Sequence, residues 1–124
     1  MRRRTAALGM VFAPIMASAE PADASLIRLI ASPREFDGRQ VRTIGFLRLE
    51  FEGNAIYLHK EDYLRGITKN GLWMEMESAS KKVPGPSDQY VIVEGTFSMQ
   101  DQGHMGLWSG SIRKITRVAP WRQP

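Results

Sequence analysis

His59 and His104 are the two imidazoles of the chain. With Asp62 they make the one set that could hold a metal for hydrolysis, and Glu61 and Asp101 stand near them in sequence. The spacing argues for something simpler. Neither His-x-x-x-His nor His-Glu-x-x-His occurs, so two loop histidines bonded to their own turns account for the pattern. Nucleophiles carry less signal still. Ser109, Ser111 and Thr96 fall in expected strands, and Trp108-Ser109-Gly110-Ser111 lacks the strand–turn–helix setting that exposes a hydrolase serine. The carboxylates of Glu50/Glu52 and Glu75/Glu77 lie two apart, on one face of a strand. Such pairs suit acid–base chemistry, and they also keep a solvated sheet from associating. Gly103-His104-Met105-Gly106 reads as a tight connection and not as a phosphate loop. No catalytic residue, metal or cofactor is expected, and the chain reads as a non-enzyme.

Aromatic residues are more suggestive. Tyr57 and Trp73 belong to neighbouring expected strands, with Trp73 on the polar phase beside Glu75, and Trp108 follows a glycine-bearing turn. Exposed aromatics stack on bases at about 1–3 kcal/mol each, and they stack on sugar faces in the same way. His59, Lys60, Tyr63, Arg65 and Lys69 line the adjoining connection, where the cations suit phosphates or other acids. The competing role is packing, since tryptophan is highly buried on average. The expected ligand-binding set is therefore Tyr57, His59, Lys60, Tyr63, Arg65, Lys69, Trp73 and Trp108.

Placing these residues takes mostly strands. Apolar alternation marks strands over 40–51, 55–58, 72–77, 90–99 and 107–118. In the first, Val41, Leu47, Leu49 and Phe51 share one phase while Ile44 and Phe46 take the other. A bulge or tight bend is therefore expected at Gly45. Ile112 and Ile115 fall out of phase in the last strand, with the same implication. Leu72, Met74 and Met76 share one face. Asp37-Gly38, Gly53-Asn54 and Asn70-Gly71 read as turns, and 101–106 as a short turn joining the last two strands. Residues 59–70 form a polar connection anchored by Tyr63, Leu64 and Ile67, with one helical turn ending at Gly66. Lys81-Lys82 and Pro84-Gly85-Pro86 make 78–88 a loop. Ahead of the strands, Ser25, with Asp23 as the competing choice, caps a short helix bearing Leu26, Leu29 and Ile30 at i, i+3 and i+4. Pro33 ends that helix near Ala31, and Phe36 is expected to tuck beneath it.

The 124 residues make one domain at most. Residues 1–19 carry a basic start, a short apolar run and Ala17-Ser18-Ala19, the pattern of a signal peptide cleaved after Ala19. That run is shorter than the roughly 20 residues a membrane span needs. Residues 20–24 read as a linker, 25–119 as the domain and 120–124 as a tail. The mature chain is expected in the periplasm or outside the cell, with no membrane span. Arg2, Arg3 and Arg4 belong to the leader, so the formal charge of +4 drops to +1 on its removal. A basic footprint for nucleic acid is then missing from the overall balance. The chain has no cysteine, which excludes disulfides, thiol catalysis and Cys-ligated metal.

Five strands with short turns and one longer connection fit a mainly β fold: a small five-stranded OB-like Greek-key barrel with a short N-terminal helix. Another small barrel or a β-sandwich is the alternative. The interval where an OB barrel carries its helix is here short and Pro-rich, so the N-terminal helix is expected to plug the barrel instead. Leu26-Ile27, Pro33, Phe36-Asp37-Gly38, Val41, Ile44-Gly45-Phe46, Tyr90-Val91, Val93-Glu94-Gly95, Phe97, Ile112 and Ile115 compose a pattern across nearly the whole mature chain. It resembles exported bacterial OB-like proteins of unknown function, similar in outline to the tRNA-anticodon-binding-like OB group. These positions are turn glycines and core residues, so the resemblance implies a fold and no chemistry. The expected function is a non-catalytic exported binding module. It would use the face of strands two and three with the 59–70 connection, for a protein, a glycan or a small anionic ligand. A single-stranded nucleic-acid binder and a metal-dependent hydrolase are the alternatives.

Overall fold

The computed structural model describes residues 20–76 and 87–122. Its elements are β1 (Ala22–Asp23), α1 (Leu26–Ala31), β2 (Gln40–Arg48), β3 (Ala55–Tyr57), α2 (Lys60–Leu64), β4 (Gly71–Met74), β5 (Gln89–Ser98) and β6 (Ser111–Pro120). The expected leader, 123–124 of the tail and most of the 78–88 loop lie outside the described residues. Among the described residues no helix is long and apolar enough to cross a membrane.

β2 is the hub. It pairs antiparallel with β5 from Gln40↔Thr96 to Leu47↔Gln89, and at its far end with β3 from Phe46↔Tyr57 to Arg48↔Ala55. β3 pairs antiparallel with β4, and β4 runs parallel to β6. β6 then returns antiparallel to β5. The order β2-β3-β4-β6-β5 thus closes on β2 as a five-stranded OB-like barrel. The strand β1, within the stretch read as a linker, lies parallel on the same edge of β2 that β3 uses further along.

The core follows the alternation. Val41 and Leu47 of β2, Leu72 and Met74 of β4, and Val91, Val93 and Phe97 of β5 are fully buried. Leu26 and Leu29 join them from α1, so the N-terminal helix does plug the barrel. The Ser25 hydroxyl accepts from the Arg28 N–H at 3.2 Å and caps that helix. Phe36 is buried below its end.

Four local expectations need correction. β2 carries no bulge, because its pairing with β5 passes Gly45 without a slip. Gly45 is needed for close approach instead: a Cβ there would lie 2.6 Å from Leu26 Cδ1 and 2.7 Å from the Tyr57 carbonyl oxygen. The strand also ends at Arg48, and Phe51 stands out in solvent. Asn70-Gly71 is no hairpin turn. Asn70 closes a 3-10 turn (Thr68–Asn70) and Gly71 opens β4 in extended backbone. The last connection is longer than expected and contains a 3-10 turn (His104–Gly106), so β6 begins at Ser111 and Trp108 lies ahead of it. The phase slip of Ile112 and Ile115 does mark an irregularity, since β6 shifts register between Glu94↔Arg117 and Thr96↔Arg113, with Lys114 at φ 48°.

Candidate functional site

The outer face of β2, β3 and β4 is where an OB barrel usually meets its ligands. Here it carries Phe46, Ala55, Tyr57 and Trp73, set by the pairs Phe46↔Tyr57 and Ala55↔Trp73. The chain's own connections cover it. Tyr63 of α2 packs on Phe46 and Tyr57, with ring centroids 6.3 and 5.7 Å away. Trp108 packs on Trp73 at 5.1 Å. Tyr57 and Trp108 are consequently 3% and 4% exposed, and neither is free to stack on a ligand. Trp73 keeps partial exposure only, because Gly103 lies flat on its indole, where a Cβ would come within 2.7 Å of three side-chain atoms. Burial pushes the Tyr57 hydroxyl above its usual range, partly offset by the Trp108 N–H. That N–H stays outside hydrogen-bonding geometry and is left without a partner.

Most of the expected polar contacts are spent on holding this cover in place. His59 is the N-cap of α2: its backbone carbonyl accepts from the Asp62 N–H at 3.0 Å, and Asp62 Oδ2 accepts from the His59 N–H at 3.0 Å. Asp62 Oδ1 takes a further bond from Asn70 Nδ2 at 3.0 Å. Lys69 Nζ donates to the carbonyls of Trp108 at 3.3 Å and Gly106 at 3.5 Å, tying the two connections together. Thr68 Oγ1 donates to the Leu107 carbonyl and Ser109 Oγ to the Lys69 carbonyl, at 2.9 and 2.7 Å. Arg65 pairs with Glu61 one turn back. Lys60 remains exposed, its N–H bonded to the Tyr90 hydroxyl. Tyr63 donates to Glu50 Oε1 at 3.2 Å and lies under the Arg48 guanidinium.

His104 meets Glu52, with Nε2 3.5 Å from Oε1, while His59 and Asp62 cap α2. The set His59, His104 and Asp62 is therefore not assembled. Among the described residues no three His, Cys, Asp or Glu side chains gather as metal ligands.

What the three connections leave open to solvent is their rim, which the sequence reading did not select. Phe51 is 88% exposed and Met105 79%, on either side of the Glu52–His104 contact. Leu64, Ile67 and Leu107 are also exposed large apolar side chains on these connections. Glu52 and Met105 both hold positive φ, 54° and 60°. Left-handed backbone costs a non-glycine residue about 1–2 kcal/mol, and such strain gathers at functional sites. Over 49–54, 58–70 and 99–110, three Lys and Arg face five Asp and Glu, a formal balance of −2. The rim is apolar and mildly acidic. No family model, curated protein or solved structure matches the chain.

Proposed function

We propose that this chain is a non-catalytic binding module, working after export, whose rim of three connections docks a protein segment carrying apolar and cationic side chains. The observation that carries this is the pair of projecting side chains Phe51 and Met105, held out of the core on strained or adjacent backbone around Glu52 and His104. Large apolar side chains kept in water at a conformational cost mark interaction sites. The balance of −2 disfavours phosphates and other anionic ligands. With Tyr57 and Trp108 packed away and Lys69 bonded to carbonyls, a base-stacking platform has lost most of its parts.

The test uses an amphipathic peptide of Leu and Lys as probe, followed by amide chemical shifts of the full chain. Shifts at 51–53 and 104–107, with binding weakened at least tenfold by combining Phe51→Ser and Met105→Ser, are expected. Shifts elsewhere, or equal binding by the double variant, refute the reading. Oligothymidylate at low salt is the second arm. Binding that falls steeply with added salt would replace the proposal with the nucleic-acid alternative.

A further inference from the structure

The chain has no cysteine, so its only sulfur groups are the thioethers of seven methionines. Met1, Met10 and Met16 lie outside the described residues. Met74 and Met76 are 0% and 5% exposed, and Met99 packs half-buried against the core. Met105 is 79% exposed and is the one thioether open to water among the described residues. Its backbone is also unusual. Met105 stands at φ 60° and ψ 13° inside the turn His104–Gly106, between Gly103 and Gly106, which hold positive φ too. Glycine would keep this left-handed turn at lower cost, so what a methionine adds there is its side chain. That side chain belongs to the rim, beside the Glu52–His104 contact.

An accessible thioether is open to oxidation by hydroperoxides. The Sδ lone pair attacks one oxygen of hydrogen peroxide, the O–O bond breaks and an S–O bond forms. The proton of the transferred oxygen leaves with the departing hydroxide as water. Sulfur loses two electrons and the peroxide gains them. The product sulfoxide is polar, and burying it against an apolar partner without a hydrogen bond is unfavourable. The same change at Met74 or Met76 would disrupt the core, and the barrel shields both. At Met105 it alters the rim alone.

We propose that Met105 is a site of reversible oxidation by hydroperoxides, through which the rim releases its partner when the sulfoxide forms and regains it on reduction. This rests on the rim being the docking surface. The test treats the full chain with hydrogen peroxide and uses the amphipathic peptide of Leu and Lys as the binding probe. Peptide mapping should find the sulfoxide forming at Met105 at least about tenfold faster than at Met74, Met76 or Met99. The treated chain should bind the peptide at least about fivefold more weakly. Methionine sulfoxide reductases for both sulfoxide epimers, supplied with a thiol reductant, should restore the affinity. The melting temperature should fall by less than about 4 °C, because the barrel is untouched. Met105→Leu, which has no thioether on the rim, should show the same affinity before and after peroxide. The proposal is overturned if Met74, Met76 or Met99 oxidises as fast as Met105, or if treated and untreated chains bind equally. It is overturned equally if the melting temperature falls further, if reduction leaves binding weak, or if Met105→Leu loses affinity under peroxide. An untreated chain that does not bind the peptide at the rim shows instead that the docking surface itself is wrong, and the switch falls with it.

Discussion

Gly103→Ala tests whether the last connection really seals Trp73. Gly103 has φ 74° and ψ −162°, a region open in practice only to glycine, and an alanine there costs about 1–3 kcal/mol in backbone strain. The new Cβ would also sit 2.7 Å from Trp73 Cβ, Cγ and Cδ2. Cγ and Cδ2 belong to a ring seated against Trp108, and Cβ is the carbon that carries it, so none of them can swing clear. Overpacking of this kind costs about 1–3 kcal/mol more, so the sum is about 2–6 kcal/mol. Gly66→Ala is the control. Its φ is 68° but a Cβ there meets nothing within 4 Å, so it should lose only about 1–2 kcal/mol of backbone energy. Urea titration of both variants gives the difference, and each 1 kcal/mol should move the melting temperature by about 4–8 °C in a domain of this size. Gly103→Ala should also expose Trp73 to iodide quenching. If Gly103→Ala proves no more damaging than Gly66→Ala, the connection does not press on the indole, and the account of the covered face fails.

Two further outcomes follow from the barrel. Gly45→Ala places a Cβ against the Tyr57 carbonyl and Leu26. It should cost at least about 1–3 kcal/mol, read by chemical denaturation, and a loss below about 0.5 kcal/mol would mean that β2 and β3 separate without penalty. Glu94 accepts from Arg42 Nε at 2.9 Å and Arg117 Nη1 at 3.0 Å, and the two guanidinium groups, Arg42 foremost, hold its pKa below the ordinary 4.5. The folded state thus binds this proton less readily than the unfolded one. The stabilisation is present above the unfolded value and is lost as pH falls through the folded one. The stability gap between the natural chain and Glu94→Gln should therefore narrow as pH falls from about 5 to about 3, and a gap that stays constant over that range contradicts the pairing.

The barrel was legible because its core obeys a period of two. Val91, Val93 and Phe97 alternate in sequence and all point inward, and the same holds for Leu72, Met74 and Met76. The helix was legible from Ser25, the spacing of Leu26 and Leu29, and Pro33. Glycine was harder to read. A glycine where the apolar phase switches suits a bulge as well as a close crossing, and the atoms that decide, Leu26 Cδ1 and the Tyr57 carbonyl, lie far away in sequence. Asn70-Gly71 misled for a related reason. A dipeptide that favours a tight hairpin was recruited instead by a long connection, whose end is fixed by Asp62 bonding Asn70.

The site was half legible, and the missing half explains the error. Tyr57, Tyr63, Trp73 and Trp108 stood together in the sequence as an expected binding set, and they meet on the outer face of the barrel. The sequence could not say whether they meet a ligand or one another. That is decided by long-range bonds such as Lys69 to Trp108 and Ser109 to Lys69, which fold the connections over the face. Once the aromatics pack together, burial satisfies their apolar surface and their pull on a ligand is gone. Binding surface must then come from whatever the cover cannot bury. On a cover made of connections that is the side chains at their tips, which is why Phe51, in phase with Leu49 but beyond the end of β2, and Met105 are the two most exposed large apolar side chains.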